Sequence, residues 1–383
     1  MFLIRKSRMD KCHSIISENT SAGPLVSVVI LGLDRGGDLR RNIESLRKTM
    51  KVPYEVIIVD DKSKDNGALE YLEKINGQKT NGTGMITVYH NKTESGCSAG
   101  RKFGTDLALK SKSRYILTVD NDVTYTDGWF EKLVSAIEKS DDIGAASPLL
   151  LNPENDGRLH VQWNGGLLNM IGSRFIDFVH VDFGKIYGKE KTGGQIRCSW
   201  LPGTATLIKA DVARKVSYNT AYLSGYEDYD YSFQIAELGY RMLNVPNSVV
   251  IHHKINWSDC KKQKRYHDYW SRRWNSKRIF ESALAFTERT SYIPSDVKEF
   301  FGATYNKKFL RKCGYPNLPG EWESFKDADM EEVRKVVAAI IIQRKKLGIS
   351  AKGRVDVDKV FANIHAGKLS KLLSNLKNWL YIF

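Results

Sequence analysis

Short apolar runs alternate with helical patterns over the first third of the chain. The runs are rich in β-branched residues, which is typical of strands buried on both faces. They predict four strands, at Leu25–Leu31, Tyr54–Val59, Met85–His90 and Tyr115–Val119. Apolar positions at helical spacing predict three helices between them, at Asp38–Met50, Gly67–Ile75 and Ala99–Lys110. This alternation predicts an α/β fold with a mainly parallel central sheet and flanking helices.

The pattern is less regular further along. A helix is predicted at Asp127–Ser140 and a strand at Ala145–Leu151. Residues 152–194 are rich in glycine and aromatic residues, and we expect an irregular excursion over a site. Strands are predicted at Cys198–Ile208 and Met242–His252, with a helix at Asp228–Leu238 between them.

The composition changes after His253. The chain has a formal net charge of +15, and residues 256–383 contain 26 Lys and Arg against 14 Asp and Glu. Such an excess favours anionic partners, namely a nucleotide, a membrane surface or nucleic acid. We expect an N-terminal extension (1–24), a catalytic domain (25–255) and a basic, mainly helical C-terminal region (256–383). Helices are predicted there at Lys261–Phe286, Asp327–Leu347 and Lys368–Phe383.

The cysteines and the hydropathy bear on location. Five scattered cysteines, an odd number without metal-ligand spacing, favour a reduced, cytoplasmic setting. Met1 to Gly23 has no long apolar run, so we expect no signal peptide. No stretch approaches the roughly 20 apolar residues of a transmembrane helix. Any membrane contact would therefore be peripheral, at the inner face.

Acidic residues follow two of the predicted strands. Asp120-Asn121-Asp122 follows the fourth strand, and Asp60-Asp61 with Ser63 follows the second. Ligands of parallel sheets bind outside the carboxyl ends of the strands. Two converging carboxylates resist joint ionisation unless a hard cation such as Mg²⁺ or Mn²⁺ joins them. The carboxylates of Asp60 and Asp61 could accept hydrogen bonds from a nucleobase N–H or a ribose hydroxyl. For the triplet, the alternative interpretation is an acidic turn that caps the following helix. For the second segment, it is N-capping of the next helix by Ser63 or Asp65.

Three further segments have residues suited to chemistry. The segment from Gly96 to Gly104 has small residues and Arg101 at the start of a predicted helix, which suits phosphate binding. The alternative interpretation is a tight turn that requires small residues. Glu227 and Asp228 open a helix and point in different directions, so one could serve as a general base; acids also simply favour helix starts. His252-His253 ends an apolar strand and offers a metal ligand, or a surface histidine.

In order and spacing, these motifs resemble those of the family 2 glycosyltransferases with the GT-A fold, from about Pro24 to His253. The resemblance implies an inverting transfer of sugar from a nucleotide-diphosphate sugar, with a UDP-sugar favoured and Mn²⁺ or Mg²⁺ as cofactor. It implies Asp228 as the catalytic base with Glu227 beside it, and metal ligands among Asp122, Asp120, His252 and His253. It implies donor-binding residues at Leu31, Asp34, Arg35, Asp60, Asp61, Ser63, Gly100, Arg101, Asp120 and Asn121. It implies an acceptor side at Trp200, Pro202, Gly203 and Tyr226. The sequence departs from the family pattern at residues 31–34 and at Lys102.

The acceptor stays open between several interpretations. The amphipathic segment Lys368–Phe383 would rest on an anionic bilayer, where the enzyme reaches a lipid-linked glycan, or would dock on the catalytic domain. Surface glycan or polysaccharide synthesis is the first expectation. The basic, aromatic run from Tyr266 to Trp274 also suits nucleic acid, as in bacteriophage enzymes that glycosylate a modified base. An inactive relative that serves as a binding module is a third possibility.

Overall fold

The structure is a computed structural model that describes residues 24–81, 84–171, 175–254, 276–290 and 292–294 of the chain. Its first half forms one side of a ten-stranded sheet. The strands are β1 (Val26–Gly32), β2 (Tyr54–Asp60), β3 (Ile86–His90) and β4 (Tyr115–Asp120). They are parallel, in the order β3-β2-β1-β4. The predicted parallel α/β arrangement is confirmed.

The sheet continues beyond β4 with one reversed strand. β11 (Ala205–Lys209) is antiparallel to both β4 and β6 (Ile143–Pro153). β12 (Arg241–His252) runs parallel to β6 and pairs at its other edge with β10 (Arg197–Cys198). β5 (Val123–Tyr125) joins β12, and β7 (Leu159–Trp163) joins β6. Because β5 follows β4 after two residues and pairs with the end of β12, the acidic triplet lies beside His252.

Helices cover the sheet with apolar faces. They are α1 (Gly36–Thr49), α2 (Asn66–Ile75), α3 (Gly96–Ala108), α4 (Trp129–Ile137), α5 (Ala210–Ala213) and α6 (Glu227–Glu237). In α1, Leu39, Ile43 and Leu46 recur at helical spacing and are almost fully buried. Burial of one such side chain contributes about 1.5–3 kcal/mol. The packed sheet therefore holds the side chains at its strand ends in fixed positions.

Two sequence predictions were wrong in detail. Residues 152–194 are not irregular, because they contain β7, β8 (Gly166–Ile171) and β9 (Phe175–His180). β8 and β9 pair antiparallel and form a second, small sheet with β13 (Ile293–Pro294). Glycines in this stretch interrupt the alternation that would have revealed the strands. The single strand predicted at Cys198–Ile208 is two strands, β10 and β11, because residues 199–204 form a loop toward the site.

One helix of the predicted C-terminal region packs on the preceding α/β part of the chain. α7 (Ser276–Thr290) buries Phe286 among the rings of Phe178, Tyr226 and Phe233. Its Ser282 hydroxyl accepts hydrogen bonds from two backbone N–H groups of the loop before α6. The helices predicted at 327–347 and 368–383, and the run 266–274, lie outside the described residues. No helix in the described part of the chain is long and apolar enough to cross a bilayer.

Candidate active site

Two carboxylates and one imidazole converge at the carboxyl end of β4. Asp120 ends this strand, Asp122 lies in the turn to β5, and His252 ends β12. One ligand atom of each residue lies within 4.8 Å of the others. His252 Nε2 is 3.1 Å from Asp122 Oδ1. Two oxygen ligands and one nitrogen ligand fit a divalent cation, and this arrangement fits the cation that the sequence motifs imply.

The two histidines point in different directions. The Nδ1 atom of His252 is hydrogen-bonded to Gln162 Oε1 on β7 at 2.8 Å, which leaves Nε2 toward Asp122. The ring of His253 is instead hydrogen-bonded through Nε2 to the hydroxyl of Thr124 at 2.8 Å. His252 therefore belongs to the Asp120–Asp122 group, whereas the imidazole of His253 does not. Gln162 was not among the sequence candidates, because only the pairing of β6 with β7 brings it here.

Arg35 brings a positive charge to the same group. Its guanidinium donates a hydrogen bond to Asp122 Oδ2 and another, of 2.9 Å, to the backbone carbonyl of His253. Arg35 and Asp34 both adopt the left-handed conformation, with φ of 57° and 53°. Such conformations cost non-glycine residues on the order of 1–3 kcal/mol and cluster at functional sites. The turn after β1 thus directs Arg35 toward Asp122, one of the candidate metal ligands.

The charges around Asp122 favour its ionised form. Burial would raise the pKa of Asp122, but His252 and Arg35 outweigh it and hold that pKa well below its usual range. Burial would likewise lower the pKa of His252, but Asp122 outweighs it and raises that pKa above its ordinary value. Burial, with Arg41, lowers the pKa of His253. Asp122 is therefore a fixed negative charge, as a cation ligand requires.

A second group of acids meets across Arg101 of α3. The buried guanidinium donates from Nη2 to Asp120 Oδ1 at 2.9 Å and from Nη1 to Asp228 Oδ1 at 2.8 Å. The Nη1 atom also donates to Glu227 Oε1 at 3.1 Å. Glu227 and Asp228 lie in the first turn of α6. The predicted catalytic pair and the predicted metal group are therefore joined through one side chain.

The environment of Asp228 differs from that of Asp122. Burial raises the pKa of Asp228 to about 6; Arg101 opposes this shift, and the neighbouring charge of Glu227 adds to it. About a quarter of the side chain remains exposed (27%). A carboxylate with such a pKa and an open side suits a general base near neutral pH.

The acids after β2 stabilise the surrounding loops. Asp61 accepts hydrogen bonds from the N–H groups of Ser95 and Gly96, at 2.7 and 2.9 Å, and so caps α3. Asp60 accepts hydrogen bonds from the hydroxyl and N–H of Ser63, and its other oxygen bonds to His90. The alternative predicted for this segment, capping of the next helix, is not met by Asp65, which makes no side-chain cap hydrogen bond at the start of α2. Contact of Asp60, Asp61 or Ser63 with a nucleoside stays a prediction.

Three further donor-side candidates lie in the same region. The carboxylate of Asp34 accepts hydrogen bonds from two backbone N–H groups in the loop before α2. A Cβ atom at Gly100 would lie 2.3 Å from Leu31 Cδ1, so this glycine allows α3 to approach β1 closely. The side chain of Asn121 is buried, and its Nδ2 atom has no hydrogen-bond partner within the described residues. A phosphate-binding role for Gly100 stays a prediction beside this packing role.

The predicted acceptor side is built from buried residues around the loop 199–204. Trp200 is buried against Phe178 and Tyr229 and donates a hydrogen bond from Nε1 to the carbonyl of Leu167. Pro202 accepts a hydrogen bond at its carbonyl from the hydroxyl of Thr206. Tyr226 is buried as well, at the left-handed residue before α6. Contact of these side chains with an acceptor stays a prediction.

Comparisons with known proteins match part of the chain to glycosyltransferases. Residues 27–197, slightly less than half of the 383-residue chain, match the family model of glycosyl transferase family 2. The chain is 24% identical over 214 residues to an uncharacterized glycosyltransferase of Haemophilus influenzae. The alignment covers 56% of this chain and 62% of that protein, so this chain spans less than two thirds of that relative. It is 21% identical over 241 residues to the N-acetylglucosaminyl-diphospho-decaprenol L-rhamnosyltransferase of Mycobacterium tuberculosis, covering 61% of this chain and 77% of that enzyme.

A solved structure is similar in outline. The mannosyltransferase PcManGT from Pyrobaculum calidifontis, in complex with GDP-Man and Mn²⁺, aligns with a TM-score of 0.45 at 14% identity. The alignment covers 95% of this chain and 86% of that one.

The sequence match indicates the class of protein that this chain resembles. Residues 27–197, which include strands β2, β3 and β4 and most of β1, are similar to glycosyl transferase family 2.

Proposed function

We propose that this protein is an inverting, metal-dependent glycosyltransferase that moves a sugar from a nucleotide-diphosphate sugar to an acceptor hydroxyl. One observation carries the proposal: a single guanidinium, that of Arg101, contacts both Asp120 of the metal group and Asp228 of the catalytic pair. The group suited to a leaving diphosphate and the group suited to proton abstraction therefore lie on either side of one side chain.

The carboxylate of Asp228 would take the proton of the acceptor hydroxyl. The acceptor oxygen then forms a bond to the anomeric carbon from the face opposite the diphosphate. The bond between that carbon and the diphosphate oxygen breaks, and the nucleoside diphosphate leaves with the bonding electrons. One displacement of this kind inverts the configuration. Asp120, Asp122 and His252 would hold the divalent cation, which when bound neutralises the departing diphosphate. The imidazole ligand favours Mn²⁺ over Mg²⁺, because Mg²⁺ is bound mostly by oxygen.

A lipid-linked glycan is the acceptor that we propose first. The rhamnosyltransferase relative is named for an acceptor of this kind, in which the sugar is joined through a diphosphate to decaprenol. The positive charge of residues 256–383 suits approach to an anionic bilayer. A modified base in DNA remains the second candidate because the same charge also suits nucleic acid.

A panel of nucleotide sugars tests the function. The purified protein is incubated with UDP-, GDP- and dTDP-sugars, with Mn²⁺ or with excess EDTA, and the released nucleoside diphosphate is measured. We expect release from one class of donor with Mn²⁺ and none with EDTA. Full release in EDTA would overturn the metal-dependent mechanism, and no release from any donor would favour an inactive binding module. Retention on anionic vesicles, compared with retention on DNA over a salt series, separates the two acceptors.

A further inference from the structure

Arg101 contacts three acids and keeps its charge in a buried position. Burial alone would lower the pKa of Arg101, but Asp228, Asp120 and Glu227 outweigh it and raise that pKa well above its ordinary value. The side chain is only 6% exposed. A buried cation among carboxylates is costly to remove, because each partner would be left as an uncompensated charge. This cluster is therefore a fixed part of the site.

Arg101 has little hydrogen-bonding capacity left for a donor phosphate. Both contacts of Nη1 are made to acids, as is the contact of Nη2. The Nε atom is buried and has no partner within the described residues. A guanidinium has five N–H donors, so only one hydrogen, on Nη2, stays available outside the buried Nε. Two parallel bonds to a diphosphate would require Arg101 to release an acid.

Asp228 is fixed at both of its oxygens. Oδ1 accepts a hydrogen bond from Arg101, and Oδ2 accepts one of 2.8 Å from the N–H of Gly203. The two contacts set the plane of the carboxylate. Each oxygen keeps a further lone pair for an incoming hydroxyl.

The loop before β11 is shaped to fit the guanidinium. A Cβ atom at Gly203 would lie 2.3 Å from Cζ and Nη1 of Arg101. A side chain at this position would therefore push Arg101 away from its acids. The close approach of the Arg101 guanidinium therefore requires glycine at position 203.

We propose that Arg101 is a positioning residue, which holds Asp228 in the orientation for proton abstraction and at a set distance from Asp120, and does not bind the donor diphosphate. This inference rests on the proposed function, in which Asp228 is the base. The planar, forked guanidinium contacts Asp120 and Asp228 from different nitrogens, whereas an ammonium is a single point on a flexible stem. Lysine would keep the charge and lose the orientation.

The experiment separates turnover from donor binding. Arg101→Lys and Gly203→Ala are compared with wild type and with Arg114→Lys, whose arginine is 43% exposed and pairs with Glu138 away from the site. Turnover is measured with the nucleotide sugar that the wild type uses best. Binding of UDP, GDP and dTDP is measured by calorimetry with Mn²⁺. We expect both site variants to lower kcat roughly 100-fold, as misplacement of a reacting group by about 1 Å does. Nucleotide Kd should change less than about threefold, and Arg114→Lys should change neither value.

Each outcome decides between the roles. An unchanged kcat with a weakened Kd in Arg101→Lys would overturn the proposal in favour of a diphosphate contact. Unchanged turnover in both site variants would also overturn it. If Arg101→Lys loses its cooperative thermal transition, Gly203→Ala, which keeps the arginine, carries the comparison. Asp228→Asn separates failure of the proposed function from failure of the positioning role. Normal turnover in Asp228→Asn refutes the proposed function itself. Loss of turnover in Asp228→Asn, together with normal turnover in Arg101→Lys and Gly203→Ala, refutes only the positioning role.

Discussion

The proposed metal side of the site (Asp120, Asp122 and His252) and its proposed base side (Glu227 and Asp228) each have a buried arginine beside an aspartate. The pKa values of Asp122 and Asp228 nevertheless move in opposite directions. At Asp122, burial is outweighed by two partners, His252 and Arg35, and the pKa lies well below its usual range. At Asp228, burial prevails over Arg101 and the pKa rises to about 6. The difference lies in how the cation is shared, because Arg101 serves three acids at once.

This difference explains how one residue type can support two roles. A carboxylate that stays ionised is suited to hold a cation, and one that titrates near neutral pH is suited to accept a proton. Arg35 lies only on the metal side, whereas Arg101 contacts both. Substitutions on the two sides should therefore damage different steps.

The largest effect is expected at the base. Asp228→Asn keeps the shape of the side chain but removes its ability to accept a proton, so turnover should fall by about 10²- to 10⁴-fold. Binding of the nucleoside diphosphate with Mn²⁺ should remain, as calorimetry would show. Asp211→Asn, an exposed position in α5, is the matched control. Near-normal turnover in Asp228→Asn would show that Asp228 is not the catalytic base.

An intermediate effect is expected at Gln162, on the metal side. Its Oε1 atom orients the ring of His252 through Nδ1. Loss of such an outer contact typically costs about 10- to 100-fold in metal affinity. We expect this loss of Mn²⁺ affinity in Gln162→Met, with turnover restored at saturating Mn²⁺. Unchanged affinity would mean that His252 is not a ligand.

The pH dependence should follow Asp228 and not Asp122. The base must be ionised, so at saturating Mn²⁺ kcat/KM should rise about tenfold per pH unit up to about 6 and then level off. Asp122 should not titrate in this range because its pKa lies far lower. A profile that stays flat down to pH 4.5 would contradict the raised pKa of the base.

The smallest functional effect is expected at Gly104, which contacts neither side. A Cβ atom there would lie 2.4 Å from Val29 Cγ1, so Gly104→Ala should lower the free energy of unfolding by about 1–3 kcal/mol. Denaturant unfolding measures this loss. Turnover of the folded variant should be normal; a selective loss of nucleotide binding would restore the phosphate-binding interpretation of the glycine pattern.

The sequence predicted the sheet better than the site. Strands β1, β2 and β4 are mostly apolar and almost wholly buried, as their composition predicts, whereas β3 is only partly buried. The positions of the acids followed too, because parallel strands end at one edge of the sheet.

The contacts between distant residues could not be predicted in this way. Arg35 meets Asp122, and Arg101 meets Asp228, across separations of 87 and 127 residues. The choice between His252 and His253 depends on how β12 pairs with β5 and on Gln162, and neither was apparent from the strand pattern. The short strand β5 was missed because three residues give too little alternation to recognise.

Calorimetric binding of the nucleoside diphosphate, with and without Mn²⁺, to wild type, Asp122→Asn and Asp228→Asn tests the division most directly. We predict that the wild type and Asp228→Asn bind the nucleotide more tightly with Mn²⁺. We predict that Mn²⁺ no longer tightens nucleotide binding in Asp122→Asn. The loss of Mn²⁺-dependent affinity should exceed the roughly 10- to 100-fold that is typical of an outer contact. Equal loss in both variants, or loss in Asp228→Asn alone, would contradict the separation of a metal side from a base side.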